Sequence, residues 1–331
     1  MPSRQVDRRL LSVYDRARGT MNDVPNVPVS IGLPVYNGAR FLAASLDSLL
    51  AQTFVDFELV ISDNASTDET EAICREYAAR DPRIRYLRHE KNRGAAWNFN
   101  NLVGATAGRY FKWATHDDVH APTYVERCLE AFQEGGDRIA LAYPRTRIID
   151  EHGEFVRDYV DALDARQSTP HERLRTLVTN LDMGNPMFGL MQRSTLERTR
   201  LNGSFPSSDY VLLAELALLG EIWEIPEFLF LRRDHPGTSR RAHTTGAEIA
   251  DWFEPGSARR RKREFTRLLV EHVRSIHSLP LALPERLRCD AVFADVWLRR
   301  NGVHVVGEFL GMEYQGGWIP FRRRPAVRSR I

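Results

Sequence analysis

At 331 residues, with 43% hydrophobic and 27% charged side chains, the chain can bury one large core or two modest ones, which excludes a disordered protein. A formal net charge of +2 gives no global reason to expect a nucleic-acid partner, although basic residues cluster toward the carboxyl end. Cys74, Cys128 and Cys289 lie too far apart for a paired zinc motif, and their odd number argues against a secreted disulfide framework, so a cytoplasmic location is expected.

A polar leader occupies 1–27 and is too charged for a signal peptide; no stretch reaches the roughly 20 apolar residues that span a bilayer. From residue 28, β-rich runs alternate with helical patterns: 29–33 then 39–51, 57–62 then 67–80, 84–87 then 95–105, and the run 109–113. This alternation predicts repeated βα units, hence an α/β fold with a mixed, mostly parallel sheet and helices on both faces. Pro34 and the Asn37-Gly38 pair end the first strand, and Ser66 with Glu69 forms a capping box predicted to open the second helix. Ligands bind at the carboxyl edge of such sheets, so Tyr36, Asp63 and the pair Asp117-Asp118 are expected to converge on one crevice.

Farther on, strands are predicted at 140–143 and 146–149, a turn at 151–154, a helix over 171–180, a Gly/Pro-punctuated segment at 183–191, a helix over 209–219, and strands at 222–225 and 228–232. Beyond 256 the composition turns basic and helix-favouring, over 258–278 and 284–299. The predicted organisation is a leader over 1–27, an α/β domain over 28–240 with halves 28–120 and 121–240, and a basic helical region over 241–331.

The stretch 110–120, YFKWATHDDVH, carries the most chemistry. An apolar run fit for a buried strand ends in two adjacent carboxylates, which coexist cheaply only when solvated or neutralised by a cation. A hard divalent ion gripping a diphosphate is one such cation. The dinucleotide fingerprint G-x-G-x-x-G after the first strand, the P-loop and the G-x-S-x-G elbow are all missing, so a phosphorylated ligand would have to be held by a metal and side chains instead of a glycine cradle.

The segments 29–37 (VSIGLPVYN), 52–70 (QTFVDFELVISDNASTDET), the Asn92-Arg93-Gly94 tripeptide, and 107–110 leading into His116-Asp117-Asp118 resemble, in order and spacing, the family-2 glycosyltransferases. These are inverting enzymes of GT-A fold that use nucleotide-diphosphate sugars. The resemblance runs over 28–235 and is strongest in its first half.

It implies a donor site of Pro34, Tyr36, Asp63, Asn92, Asp117 and Arg240. Tyr36 resembles the aromatic that packs on the base. Asp63 resembles the acid that accepts the base's imino proton. Asp118 resembles the ligand of Mn²⁺ or Mg²⁺, with His235 completing the metal's shell and Asp117 facing the ribose hydroxyls. Because the signature reads His-Asp-Asp and not D-x-D, the choice between the two acids stays open, and His116 and His120 read as rim groups. Asp209, at the start of a helix, resembles the base that activates the acceptor hydroxyl, with Glu215 as fallback; its position would also suit a helix-dipole contact. Arg232, Arg233 or Arg240 would balance leaving-group charge, and 184–189 would lie near the acceptor. Many relatives carry an Arg-Asn pair where this chain has Trp97-Asn98, which weakens the assignment of the base.

The function implied is metal-dependent inverting transfer of one sugar, from a UDP-linked donor to a saccharide or lipid-linked saccharide acceptor, in cell-surface polysaccharide or glycoconjugate synthesis. The basic runs 259–263 and 322–324 suit either a solvated helix face or peripheral contact with anionic membrane. Alternatives are a nucleotidyltransferase, which the first-strand loop does not favour, a catalytically silent nucleotide- or sugar-binding module, and a nucleic-acid binder through the basic tail.

Overall fold

A computed structural model describes residues 27–243, 245–256 and 263–310. Its centre is one nine-stranded sheet. The strands are β1 (Val29–Val35), β2 (Phe57–Asp63), β3 (Ile84–Arg88), β4 (Tyr110–Trp113), β5 (Val119–His120), β6 (Ile139–Ile149), β7 (Phe155–Tyr159), β8 (Leu190–Gln192) and β9 (Glu221–Arg233). Their order is β3-β2-β1-β4-β8-β6-β9-β5, with β7 on β6. β1 to β4 pair in parallel, as the βα alternation predicts, and β8 runs antiparallel between β4 and β6.

β1 and β2 are buried at every position, the pattern of strands covered on both faces. The first half supplies the helices α1 (Ala39–Leu50), α2 (Thr70–Arg80) and α3 (Ala95–Gly104). They are followed by α4 (Tyr124–Gly135), α5 (Pro170–Asn180) and α6 (Ser208–Leu219). One core gathers Leu42, Leu46 and Leu49 of α1 with Cys128 and Phe132 of α4; the other gathers Leu102 of α3 with Leu212, Leu213 and Leu216 of α6. Helix α6 is buried from Tyr210 to Leu218, so, the buried Glu215 apart, apolar residues cover its whole circumference and it shows no amphipathic stripe.

Several boundaries differ from the sequence reading. The capping box does not form: α2 opens at Thr70, and the Ser66 hydroxyl instead accepts the backbone N–H of Asn37 at 2.9 Å, tying the loop after β2 to the loop after β1. The strand pairs predicted on either side of Pro144 and Pro226 are continuous, as β6 and β9, with register shifts in their pairing near Pro144. β5, β7 and the short β8 lie outside the strands read from the sequence. The carboxyl-terminal region forms α7 (Gly246–Phe253), α8 (Glu264–Ser278), α9 (Leu283–Phe293), a π turn over Ala294–Leu298, and α10 (Arg299–Phe309). Beyond α7, Phe265, Leu268, Ile276, Phe293 and Trp297 of this region belong to the same core as α6. The basic run 259–262 and the arginines at 322–324 lie outside the described residues. No helix among the described residues is long and apolar enough to cross a membrane.

Candidate active site

The loops after β1, β2 and β4, the first turns of α3 and α6, the end of β9 and helix α7 enclose one cleft of about 660 Å³. Pro34, Tyr36, Asn92, Asp117, Asp118 and Asp209 all line it. Residues more than a hundred positions apart thus meet because β1 and β4 are adjacent parallel strands and α6 packs over the same sheet edge.

The two adjacent acids occupy different environments. Asp118 is 4% exposed; its Oδ2 accepts the Thr115 hydroxyl at 2.6 Å and its Oδ1 the backbone N–H of Arg233 at 2.8 Å. Burial, reinforced by the charge of Asp117, raises the Asp118 carboxyl. Burial would also raise Asp117, but the neighbouring His116 and the hydrogen bond with His235 outweigh it and hold that carboxyl below the usual range. Asp117 Oδ2 stands 3.1 Å from His235 Nε2. His235 Nδ1 accepts the N–H of Gly237 at 3.2 Å, so Nε2 carries the proton and donates to Asp117. Arg233 locks the arrangement from behind, donating Nε to the Asp117 carbonyl and Nη1 to the carbonyls of Asp150 and Glu151.

No cluster of three metal-binding side chains occurs among the described residues. A divalent ion beside a diphosphate commonly takes only one or two protein carboxylates and completes its shell with phosphate and water oxygens. Asp117 fits that pattern. His235 fits once its Nε2 proton moves and Gly237 N–H turns from Nδ1. Asp118, the acid the resemblance favours as the ligand, is more deeply buried and accepts a protein hydrogen bond on each oxygen, which holds it to the Thr115 hydroxyl and the Arg233 backbone.

Asp63 is absent from the cleft lining and fully buried. Its Oδ1 accepts Ser66 N–H at 2.8 Å and its Oδ2 the Tyr86 hydroxyl at 2.6 Å, so it organises the loop after β2 and offers no oxygen to a base. Its neighbour Asn64 lines the cleft but is also committed, donating Nδ2 to Asn92 Oδ1 at 2.8 Å and accepting Arg93 N–H at 3.0 Å. Tyr36, 44% exposed, presents its ring on the cleft wall.

Asp209 stands in the first turn of α6 after Ser207, whose φ is 59°. Gly184 has φ +68°, which favours glycine there, and a Cβ on it would sit 2.7 Å from Asp209 Oδ2, displacing that carboxylate. Glu215 is no alternative base: it is buried, and accepts from Arg200 N, Arg200 Nε and Ser275 Oγ. Arg232 lines the cleft, donating Nη1 to Met183 O at 3.1 Å and to Asn185 Oδ1. Its Nε and Nη2 have no hydrogen-bond partner among the described residues. Arg240 lies in a helical turn over Ser239–Ala242, and its side chain is outside the described set.

The sequence reading missed two groups. Thr115 and the backbone of Arg233 decide how the acid pair is held, yet neither type stands out in a sequence. Helix α7, assigned to a tail, contributes Glu248, Asp251, Trp252 and Phe253 to the cleft.

The model of Glycosyl transferase family 2 matches residues 30–198, just over half of the chain. The chain belongs to that family. Among curated relatives, the family-2 chain is 35% identical over 130 residues to an uncharacterised glycosyltransferase of Rickettsia bellii, covering 39% of this chain and 18% of that protein. It is 35% identical over 137 residues to the chondroitin synthase of Escherichia coli, covering 41% of this chain and 19% of the synthase. The alignments span less than two fifths of the first relatives' own lengths. Among solved structures, residues 1–349 of S. aureus TarS in complex with UDP-GlcNAc match at TM-score 0.64 and 15% identity, over 86% of this chain and 76% of that one. The mannosyltransferase PcManGT of Pyrobaculum calidifontis, in complex with GDP-Man and Mn²⁺, matches at TM-score 0.50 and 16% identity, over 91% and 92%. At such identities these two structures share the glycosyltransferase fold with the family-2 domain.

Proposed function

We propose that the protein transfers one sugar, with inversion, from a nucleotide-diphosphate donor to a hydroxyl of a saccharide or lipid-linked saccharide acceptor. The observation that carries this reading is that Asp117 and Asp209, from opposite halves of the sheet, line one cleft. Asp209 takes the acceptor's proton as that oxygen attacks the anomeric carbon, and the bond to the nucleoside diphosphate breaks on the opposite side. Asp117, oriented by His235, faces the diphosphate, and the free nitrogens of Arg232 offset charge on the departing group. A divalent ion held by Asp117, and by His235 after tautomer exchange, would supply Lewis-acid stabilisation of the leaving diphosphate. Asp118 positions this loop and is not assigned to the metal.

A UDP-linked donor is the first choice because the TarS structure contains UDP-GlcNAc, and Mn²⁺ is a sensible first metal because it is present with PcManGT. Cell-surface polysaccharide or glycoconjugate synthesis suits the chondroitin synthase relative. On α10, Val303 and Val306 are exposed on the same helix as Arg299, which pairs with Asp295, a face suited to peripheral contact with anionic lipid. The test is release of nucleoside diphosphate from a panel of nucleotide sugars with Mn²⁺ or Mg²⁺, by wild type and Asp209→Asn. Turnover is expected only with one donor class, and it should disappear in excess chelator. Equal turnover by Asp209→Asn would remove the assigned base.

A further inference from the structure

Helix α7 is seated apart from both main cores. Ile249, fully buried, and Phe253 pack on Ala96 in the first turn of α3, forming a small apolar cluster with Trp252 against it. A capping box starts the helix: Thr245 Oγ1 accepts Glu248 N–H at 3.3 Å and Glu248 Oε2 accepts Thr245 N–H at 2.9 Å. Its far end rests on Gly94, whose φ is +86° and whose missing Cβ would collide with the Phe253 carbonyl and stand 2.9 Å from Pro255 Cδ. Gly94 is also the carbonyl that accepts Asn64 Nδ2 at 3.2 Å, so one residue joins the loop after β2 to the seat of α7.

The strand order says which part of a donor this seat would meet. Asp117 follows β4, whereas the 92–96 loop follows β3, and β3-β2-β1-β4 places three strand spacings between them. At 4.7–4.9 Å per spacing this is roughly 14 Å, the scale of a nucleoside diphosphate. A diphosphate at Asp117 therefore puts the base among Tyr36, Asn64, Asn92 and the residues of α7.

Resting on the donor reading above, we propose that α7 is part of the nucleoside site, with Trp252 offering its indole face to the base and Gly94 setting the position of the helix. The chemistry selects a ring and not a hydrogen-bond pattern, since the side-chain oxygens of Asp63 and Asn64 are already committed. Stacking on an aromatic side chain accepts any base, which suits a site from whose lining Asp63 is withdrawn.

The test is calorimetric titration of the full chain with UDP and with GDP, in the presence of Mn²⁺. Trp252→Ala should weaken UDP binding about tenfold and Trp252→Phe should recover most of it, both with thermal midpoints near wild type, whereas Gly94→Ala should weaken binding to a similar extent and also lower the midpoint, because its Cβ displaces the end of α7. UDP should also change the wild-type tryptophan emission, and that change should vanish in Trp252→Phe. If wild type binds UDP or GDP and Trp252→Ala binds it as tightly, or if the loss appears with a UDP-sugar but not with UDP, the inference is overturned and the donor reading stands. If wild type binds neither nucleotide, the donor reading falls and this inference with it.

Discussion

The two walls of the cleft are built on different principles. On the side of β1 to β3, polar residues of the family motifs bond to one another: Asp63 to Ser66 and Tyr86, Asn64 to Asn92 and Arg93, and Asn98 to Ser62. On the other side, Asp117, Asp209 and Arg232 reach the cleft from a loop, a helix start and a strand end. The first wall is a framework whose polar atoms are largely used up in holding loop shape. The second carries the ionisable groups that can act on a ligand. A motif residue is therefore not by itself a contact residue, even when the motif identifies the family.

The sharpest way to break this contrast is at Asp209. Asp209→Asn should lower kcat about a hundred- to ten-thousandfold while UDP affinity, measured calorimetrically, stays close to wild type. A comparable loss of UDP binding would mean that Asp209 belongs to the donor wall.

The acid pair tests the same contrast within two adjacent positions. Asp117→Ala should reduce turnover about a hundred- to a thousandfold with little change in denaturation midpoint. Asp118→Ala should instead cost about 2 kcal/mol of stability in urea denaturation, because Arg233 N–H and the Thr115 hydroxyl lose their acceptor. Reversal of these two phenotypes would return the metal to Asp118.

A smaller effect comes from below the cleft, where Asp161 is 6% exposed and accepts from Asn185 Nδ2. Burial pushes its carboxyl up to about 7. The folded state then binds more protons than the unfolded state between the ordinary carboxylate range and that value. Stability from this group is thus complete at acid pH and is lost as pH rises through 7. Asp161→Asn should remove a slope of about 1.4 kcal/mol per pH unit between pH 5 and 7, read from urea midpoints across that range. An unchanged slope would assign it elsewhere.

The smallest expected effect is at Lys112 on β4, fully buried between the Trp113 carbonyl and His120 Nε2. Burial pushes its amine down to about 7. The unfolded chain binds the extra proton between that value and the ordinary lysine range, so this residue costs stability at neutral pH and the cost fades as pH rises. Lys112→Met should raise stability by about 1 kcal/mol at pH 7 and flatten the alkaline rise. Loss of stability would show that the contact with His120, whose buried Nδ1 has no hydrogen-bond partner among the described residues, is net favourable.

What the sequence determined was the parallel half, its loops and its family. Local patterns suffice there: β1 and β2 are short β-rich runs with mostly apolar side chains, Pro34 and Asn37-Gly38 end the first strand, and the His-Asp-Asp signature stands in the loop after β4. It also marked Asp209 and Tyr36, which line the cleft. Only the tertiary structure decided which polar atoms are spent. Whether Asp63 faces a ligand or Ser66 and Tyr86, and how tightly Asp117 and Asp118 are each held, depends on partners supplied by distant segments such as Arg233. The same holds for α7, which reads as tail because its seat on Gly94 and Ala96 lies some 150 residues earlier in the chain. Strand and helix patterns are written in neighbouring residues; hydrogen-bond commitments are fixed only when the sheet brings remote residues together.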